Sequence, residues 1–408
     1  MKVKINGSLI TTIAMWGSLY VNYWFGFFSI FIPNITLVGL VFIIDIISVI
    51  AIVINLMKQR IKFAISQVFT ILVAVLIVFL YYTTQFMYGY QNKSYETYGL
   101  VLVSQTIMSI VLACFIAHNC LIQYQIKKFV PYVSLVFSFT AVYNTLFAEG
   151  MMGGGWINND NGMNYQAISY LAAFSTVFAE YYILEVDNVK WSSFFKKKIG
   201  NIVCVSIAII NVFTIFIAGG RGGLVLSILS IMYTIYVLIK REGSNKVGIF
   251  RNSMIVFSVP VVFIGVISVA KKSSIKFSGI QRLLDLQFFF SDKARDKIRN
   301  NAFSIISNKP LFGYGLGSDF YEMGLWTHNL FIDLLLESGA VGLIIFCSIM
   351  AYGLYLSFKL VQRDSTNRIW WMIFATGFIM SMFSGYYLTN TMIALCVSFW
   401  GNSHKNKI

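Results

Sequence analysis

The sequence predicts an all-α polytopic membrane protein of about 12 transmembrane helices, with one large extracytoplasmic loop that carries amphipathic helices. Three observations predict it. Of 408 residues, 58% are hydrophobic and only 12% are charged, about half the charged share of a soluble chain. The mean hydropathy is +0.73. The apolar residues fall in runs of about 20, the length that crosses the hydrocarbon core as a helix. Collagen, coiled coil, disorder and soluble enzyme are excluded.

Taken in order, the elements follow from those runs. Lys2 and Lys4 precede the first, which continues past Trp16 and Trp24 without a small-residue cleavage site and reads as one retained span over 8–32. Further runs lie near 35–57, 63–84, 100–121, 129–148 and 164–184, and then near 200–218, 222–239, 249–270, 338–358, 369–384 and 386–401. The last two, flanking Gly385, also fit one broken span. The even count puts both termini on one side. Short loops with Lys58, Arg60, Lys62, Lys196, Lys197, Lys198, Lys240 and Arg241 make that side cytoplasmic by the positive-inside bias. Residues 1–408 are expected to form a single integral membrane domain, with 271–327 as the extracytoplasmic loop within it.

Lys and Arg number 31 against 16 Asp and Glu. On a soluble domain that excess would suit nucleic acid, but here the charges sit in bunches between spans, and no nucleic-acid partner is expected. Lys271, Lys272, Lys276, Arg282, Lys293, Arg295, Lys297, Arg299 and Lys309 crowd into the one long outer loop. Either long loops tolerate charge without purpose, or something outside the membrane is anionic. The five cysteines form no CxxC pair, so neither a disulfide framework nor a zinc site is expected.

Few residues suit chemistry. Arg221 stands in Gly219-Gly220-Arg221-Gly222-Gly223, a tight turn whose glycines allow positive φ and close approach of a ligand. An arginine there either snorkels to the interface or faces a cavity. The stretch 291–308 reads as an amphipathic helix, with Ala294, Ile298, Ala302 and Ile305 on one face and Arg295 and Arg299 on a neighbouring face. Those arginines either pair with Asp292 and Asp296 three residues earlier or present planar donor forks to phosphate oxygens. The glycine string Gly313-Tyr314-Gly315-Leu316-Gly317 lacks the strand and the Lys-Ser/Thr of a P-loop and reads as a turn. Thr327 is placed to cap a helix beginning at Leu330, with His328 in its first turn, where a cationic setting keeps imidazole neutral and able to accept a proton. His118 and His404 have no neighbours at ligand spacing, and Asp45 is the clearest buried carboxylate.

In this order and place the residues resemble the bacterial O-antigen polymerase and O-antigen ligase superfamily. The resemblance rests on the turn at Arg221 and on Arg295-x-x-x-Arg299 leading into Asn308-Lys309-Pro310-Leu311-Phe312-Gly313-Tyr314-Gly315. It continues in His328-Asn329 followed by Leu335, Glu337, Gly339 and Gly342. It covers about Ile199 to Phe358. The turn carries Gly220 where the family often has serine.

The resemblance implies a metal-independent glycosyltransferase of the C class, acting on undecaprenyl-diphosphate-linked oligosaccharide at the outer face of the cytoplasmic membrane, with no cofactor. His328, Arg221 and Arg295 would be catalytic, and Arg282, Arg299 and Asn329 substrate-binding. Polymerisation of O-antigen, capsule or exopolysaccharide repeat units is the expected activity. Ligation to a lipid A core and export of lipid-linked sugar by a flippase are the alternatives. Membrane lipids, a chain-length regulator and a flippase are the implied partners.

Overall fold

The computed structural model describes residues 7–32, 35–58, 65–88, 105–147, 163–192, 194–242, 293–324, 327–384 and 390–403. The expected span at 249–270, Arg282 and Asp292 lie outside the described residues, as does the loop before residue 293. The regular elements are helices: α1 Gly7–Leu19, α2 Val21–Phe31, α3 Leu37–Lys58, α4 Ile65–Met87, α5 Ile107–Ala117, α6 Cys120–Leu146 and α7 Tyr165–Glu185. They continue as α8 Lys197–Ala218, α9 Arg221–Glu242, α10 Lys293–Ile306, α11 Asp319–Met323, α12 Leu330–Arg363, α13 Arg368–Phe383 and α14 Thr391–Ser403.

Among the described residues, seven helices are long and apolar enough to cross a membrane: α3, α4, α6, α7, α8, α9 and α12. Their outer faces carry Phe42, Phe69, Phe79, Ile202 and Met232, all exposed. Apolar surface of that extent belongs against lipid. The helix α7 is the opposite case, buried along almost its whole length.

Three expected spans are drawn differently. The first is two helices, because the carbonyls at the end of α1 are taken by side chains: the Trp24 indole donates to Trp16 O at 2.8 Å, and the Thr391 hydroxyl lies 3.3 and 3.2 Å from Ser18 O and Leu19 O. The fourth is the 11-residue α5, ending at a His118 cap. The fifth starts at Cys120, so Lys127 and Lys128 are helical rather than in a loop. Lys127 is buried there because its amine donates to Thr366 Oγ1 at 2.6 Å and Asn367 Oδ1 at 3.2 Å and pairs with Asp364 at 3.4 Å.

The chain divides into two compact units, Met1–Phe25 with Ile32–Lys127 and Asp292–Ile408, and Gly26–Phe31 with Lys128–Ser291. In the second unit, α7 is the hub on which α8 and α9 pack. Ser134 and Ser175 exchange hydroxyl-to-carbonyl bonds of 2.8 and 2.7 Å, and Asn211 Nδ2 donates to Ser175 Oγ at 2.8 Å. Such interhelical bonds are worth about 0.6 kcal/mol each on average, and they fix register. In the first unit, Asn55 Nδ2 donates to Thr11 Oγ1 at 2.8 Å and Gln105 Nε2 to Asp45 Oδ1 at 2.7 Å. Asp45 is only half-buried. The fully shielded carboxylates among the described residues are Glu180, Glu185, Asp319, Asp333 and Glu337.

Candidate functional site

The Arg221 turn belongs to the second unit. Gly219 ends α8 in the left-handed region at φ 77°, and its N–H donates to Ile215 O at 2.8 Å. Arg221, half-buried, then opens α9. The remaining glycines have negative φ, and their bareness serves helix contact rather than a ligand. A Cβ on Gly223 would stand 2.5 Å from Ser169 O, and Cβ atoms on Gly220 and Gly222 would strike the Ser169 and Tyr170 side chains. The Ser169 hydroxyl donates to Gly220 O at 2.9 Å. The turn is thereby pressed onto α7. A cation at a helix N-terminus opposes the macrodipole, at a cost of about 0.3–1 kcal/mol. Helix stability therefore does not explain Arg221.

The other candidates lie in the first unit. The helix α10 docks through Ala302 and Ile306 against Ile332 and Leu336 of α12. Arg299 and Arg295 stand one and two turns earlier on that same face, since 295, 299, 302 and 306 follow helical spacing. The face expected from the sequence is corrected by one position: Ile306 is buried, Ile305 only half-buried. Arg299 Nη2 pairs with Asp296 Oδ1 at 3.1 Å, and Nε donates to Arg295 O at 3.4 Å. The local ion pair foreseen for Arg299 is therefore formed.

The glycine string is more than a turn. Within α12, Gly339 leaves helical geometry at φ 63°, ψ −167°, which severs the backbone ladder. Residues 310–315 repair it from outside. Tyr314 N–H donates to Leu336 O at 3.0 Å and Gly315 N–H to Glu337 O at 2.7 Å. Ala340 N–H donates to Pro310 O at 2.8 Å and Val341 N–H to Leu311 O at 3.1 Å. Buried peptide groups at a helix end need such partners. The Lys309 amine sits 4.3 Å from the centre of the Tyr314 ring, whose hydroxyl donates to Ile305 O at 3.2 Å.

The end of α4 holds the same loop from its other side. A Cβ on Gly317 would lie 2.6 Å from the Tyr81 ring. Tyr321 donates to Gln85 Oε1 at 2.7 Å, stacks on Tyr88 with centroids 4.6 Å apart, and Tyr88 donates to Glu322 Oε1 at 2.6 Å. Burial, then the bond and charge of Glu322, push the Tyr88 phenol above its ordinary range.

His328 is not in the first turn. The N-cap of α12 is Asn329, whose Oδ1 accepts from Phe331 N at 3.1 Å and Ile332 N at 3.3 Å, an arrangement worth about 1 kcal/mol. His328 precedes the cap in the left-handed region at φ 58°, the only non-glycine with positive φ among the described residues. Thr327 does not cap; its N–H and hydroxyl both donate to Asp333 Oδ1, at 2.8 and 2.6 Å. Sequence reasoning passed over Asp333. Its signal was an acid four residues after an Asn cap, inside the apolar run Leu330 to Leu336.

The structure thus places Arg295 and Arg299 on α10, and His328 and Asn329 just before α12, on which α10 packs, and describes Arg221 within the other unit. Among the described residues no three or more His, Cys, Asp or Glu side chains gather to hold a metal. Residues 206–347 match the family model described as O-antigen ligase. Comparison with curated proteins and with solved structures finds no match.

Proposed function

We propose, from the match of residues 206–347 to the O-antigen ligase family model, which supports membership of the O-antigen ligase/polymerase superfamily, that the chain transfers an undecaprenyl-diphosphate-linked glycan to a sugar hydroxyl. The observation that carries this reading is the extent of the matched segment. It contains the Arg221 turn, the helix of Arg295 and Arg299, and the His328 turn.

The chemistry follows from those side chains. Arg221 and Arg295 grip the diphosphate of the donor, and each charge-assisted hydrogen bond contributes about 1.5–3 kcal/mol. As the glycosyl bond breaks, negative charge grows on the leaving lipid diphosphate, which preplaced guanidinium groups stabilise without a metal. His328 takes the proton of the acceptor hydroxyl, whose oxygen attacks the anomeric carbon. Arg282 and Arg299 extend the cationic surface for the donor. Asn329 has committed its Oδ1 to the helix cap, so its contribution to a sugar is through Nδ2. The acceptor is a second lipid-linked repeat unit, which makes the reaction polymerisation at the outer face of the cytoplasmic membrane, with both termini cytoplasmic.

The test is a purified reaction with synthetic undecaprenyl-diphosphate repeat units and a chelator. Wild type elongates glycan, and His328→Gln binds donor without elongating, since a positioned base supplies about 10²- to 10⁴-fold in rate. Elongation by His328→Gln at the wild-type rate removes the base role. A need for divalent metal removes the metal-free mechanism. Transfer only to a lipid A core makes the protein a ligase, and movement of lipid-linked sugar across vesicles without bond formation makes it a flippase. In a cysteine-free chain, Ser304→Cys is labelled from outside and Gln362→Cys is not; the reverse pattern inverts the topology.

A further inference from the structure

We propose that Asp333 is a positioning residue for the histidine turn, fixing through Thr327 the backbone that aims His328. The proposal deepens the function above and rests on His328 acting as the acceptor's base.

His328 holds φ at 58°. Histidine enters the left-handed region more readily than most residues, but such a conformation persists only where its surroundings over-determine it. Here both neighbours are pinned. On the N-terminal side, one oxygen of Asp333 accepts two bonds from Thr327, from the backbone N–H at 2.8 Å and from the hydroxyl at 2.6 Å. On the C-terminal side, Asn329 O accepts from Asp333 N at 2.9 Å, and it lies 3.2 Å from the Thr327 hydroxyl. Thr327, Asn329 and Asp333 therefore close a ring around His328.

The placement of Asp333 separates this role from ordinary helix capping. An acid that merely complements the helix dipole sits in the first turn facing water. Asp333 has 0% exposure and Thr327 1%, so water does not compete for the two bonds. The carboxylate reaches back past the cap to a residue six positions earlier, and the cap itself is supplied by Asn329. What the pair adds is a fixed direction for the residue between Thr327 and the cap. A base misplaced by about 1 Å loses on the order of 10²-fold in rate.

The test uses the full-length purified protein with radiolabelled undecaprenyl-diphosphate repeat units, with rates normalised to folded protein by gel filtration and thermal midpoint. Thr327→Val, which deletes the hydroxyl bond, lowers kcat by about 10²-fold and leaves the donor KM unchanged. Thr327→Ser, which restores the hydroxyl, recovers most of kcat. Asp333→Asn keeps an oxygen for both bonds and retains more kcat than Asp333→Leu; where Asp333→Leu does not fold, the threonine pair carries the comparison. Thr327→Val at wild-type kcat overturns the proposal. So does equal impairment of Thr327→Ser and Thr327→Val, or a loss that falls on KM, because packing alone would produce either.

The His328→Gln background separates the two claims. If Asp333 and Thr327 act through His328, adding Thr327→Val to His328→Gln lowers the residual rate no further, since residues acting as a unit are not additive. A further full loss overturns the positioning role while leaving His328 as base. Wild-type turnover by His328→Gln alone instead overturns the base.

Discussion

The backbone amide of Gly315 donates to the carbonyl of Glu337 at 2.7 Å. The bond joins a loop to a buried carbonyl of a helix that has been interrupted two residues further on, at Gly339. Because the two sides of that interruption are satisfied by one short stretch of loop, Pro310 and Leu311 on one side and Tyr314 and Gly315 on the other, the loop and the helix cannot be displaced separately.

Gly339→Ala is therefore expected to be among the most damaging single-methyl additions. Its φ of 63° disfavours a Cβ, and that Cβ would meet the Leu311 backbone, with Phe312 N at 2.5 Å. Left-handed strain alone costs about 1–3 kcal/mol, and the backbone collision adds to it. Gly324→Ala shares the positive φ of 78° but has nothing within 4 Å. Thermal midpoints in detergent should fall much further for Gly339→Ala; equal shifts would refute the account.

Arg221→Lys and Arg295→Lys keep a cation yet are expected to lose most activity, because an ammonium cannot make the two-pronged grip of a guanidinium on phosphate oxygens. Polymer length on a gel reads the outcome. Near-normal polymer from both would return these arginines to a structural role.

Gly223→Ala is expected to lower activity without touching any side chain proposed to bind substrate. The added Cβ would stand 2.5 Å from Ser169 O, so α9 must lift from α7 and carry Arg221 with it. Gly401→Ala, with nothing within 4 Å, is the comparison, and a helical glycine replaced by alanine gains up to about 1 kcal/mol. Activity retained in Gly223→Ala would show that the position of Arg221 is not critical.

Asp364 sets a pH dependence. Partial burial raises its carboxyl, but Lys127 and the Thr366 hydroxyl and amide outweigh that and hold it below its usual value. A folded-state value below the unfolded one, about 3.9 for Asp, gives stability that is present above the unfolded value and lost as pH falls through the folded one. The Asp364 side chain is 51% exposed, so Asp364→Asn should cost no more than about 1 kcal/mol at neutral pH. The gap in thermal midpoint between Asp364→Asn and wild type should begin to narrow as pH falls below about 4 and close at lower pH. A gap that stays constant with pH would count against the ion pair.

Features set by near neighbours were legible in the sequence. The start of α12 at Leu330, the pairing of Arg299 with Asp296 and the apolar lengths of α3, α7 and α9 each depend on residues within a few positions. The illegible parts depend on distant ones. The break between α1 and α2 needs the Thr391 hydroxyl, far along the chain. The glycine string reads as a turn until its carbonyl partners on α12 are known. Thr327 looks like a cap because its bond to Asp333 runs backwards across the cap that Asn329 provides. The bareness of Gly220 and Gly222 suited a ligand equally well until Ser169 and Tyr170 filled the space.

The spliced helix has a consequence for biogenesis. Residues 310–315 leave the ribosome before the helix whose break they fill, so the amides and carbonyls that Gly339 exposes find partners already synthesised. Domains and segments form in the order of translation, and a peptide group with no partner does not partition into lipid. Moving this loop to the C-terminal side of α12 by circular permutation would reverse that order, leaving the interrupted helix to wait for its partners at the translocon.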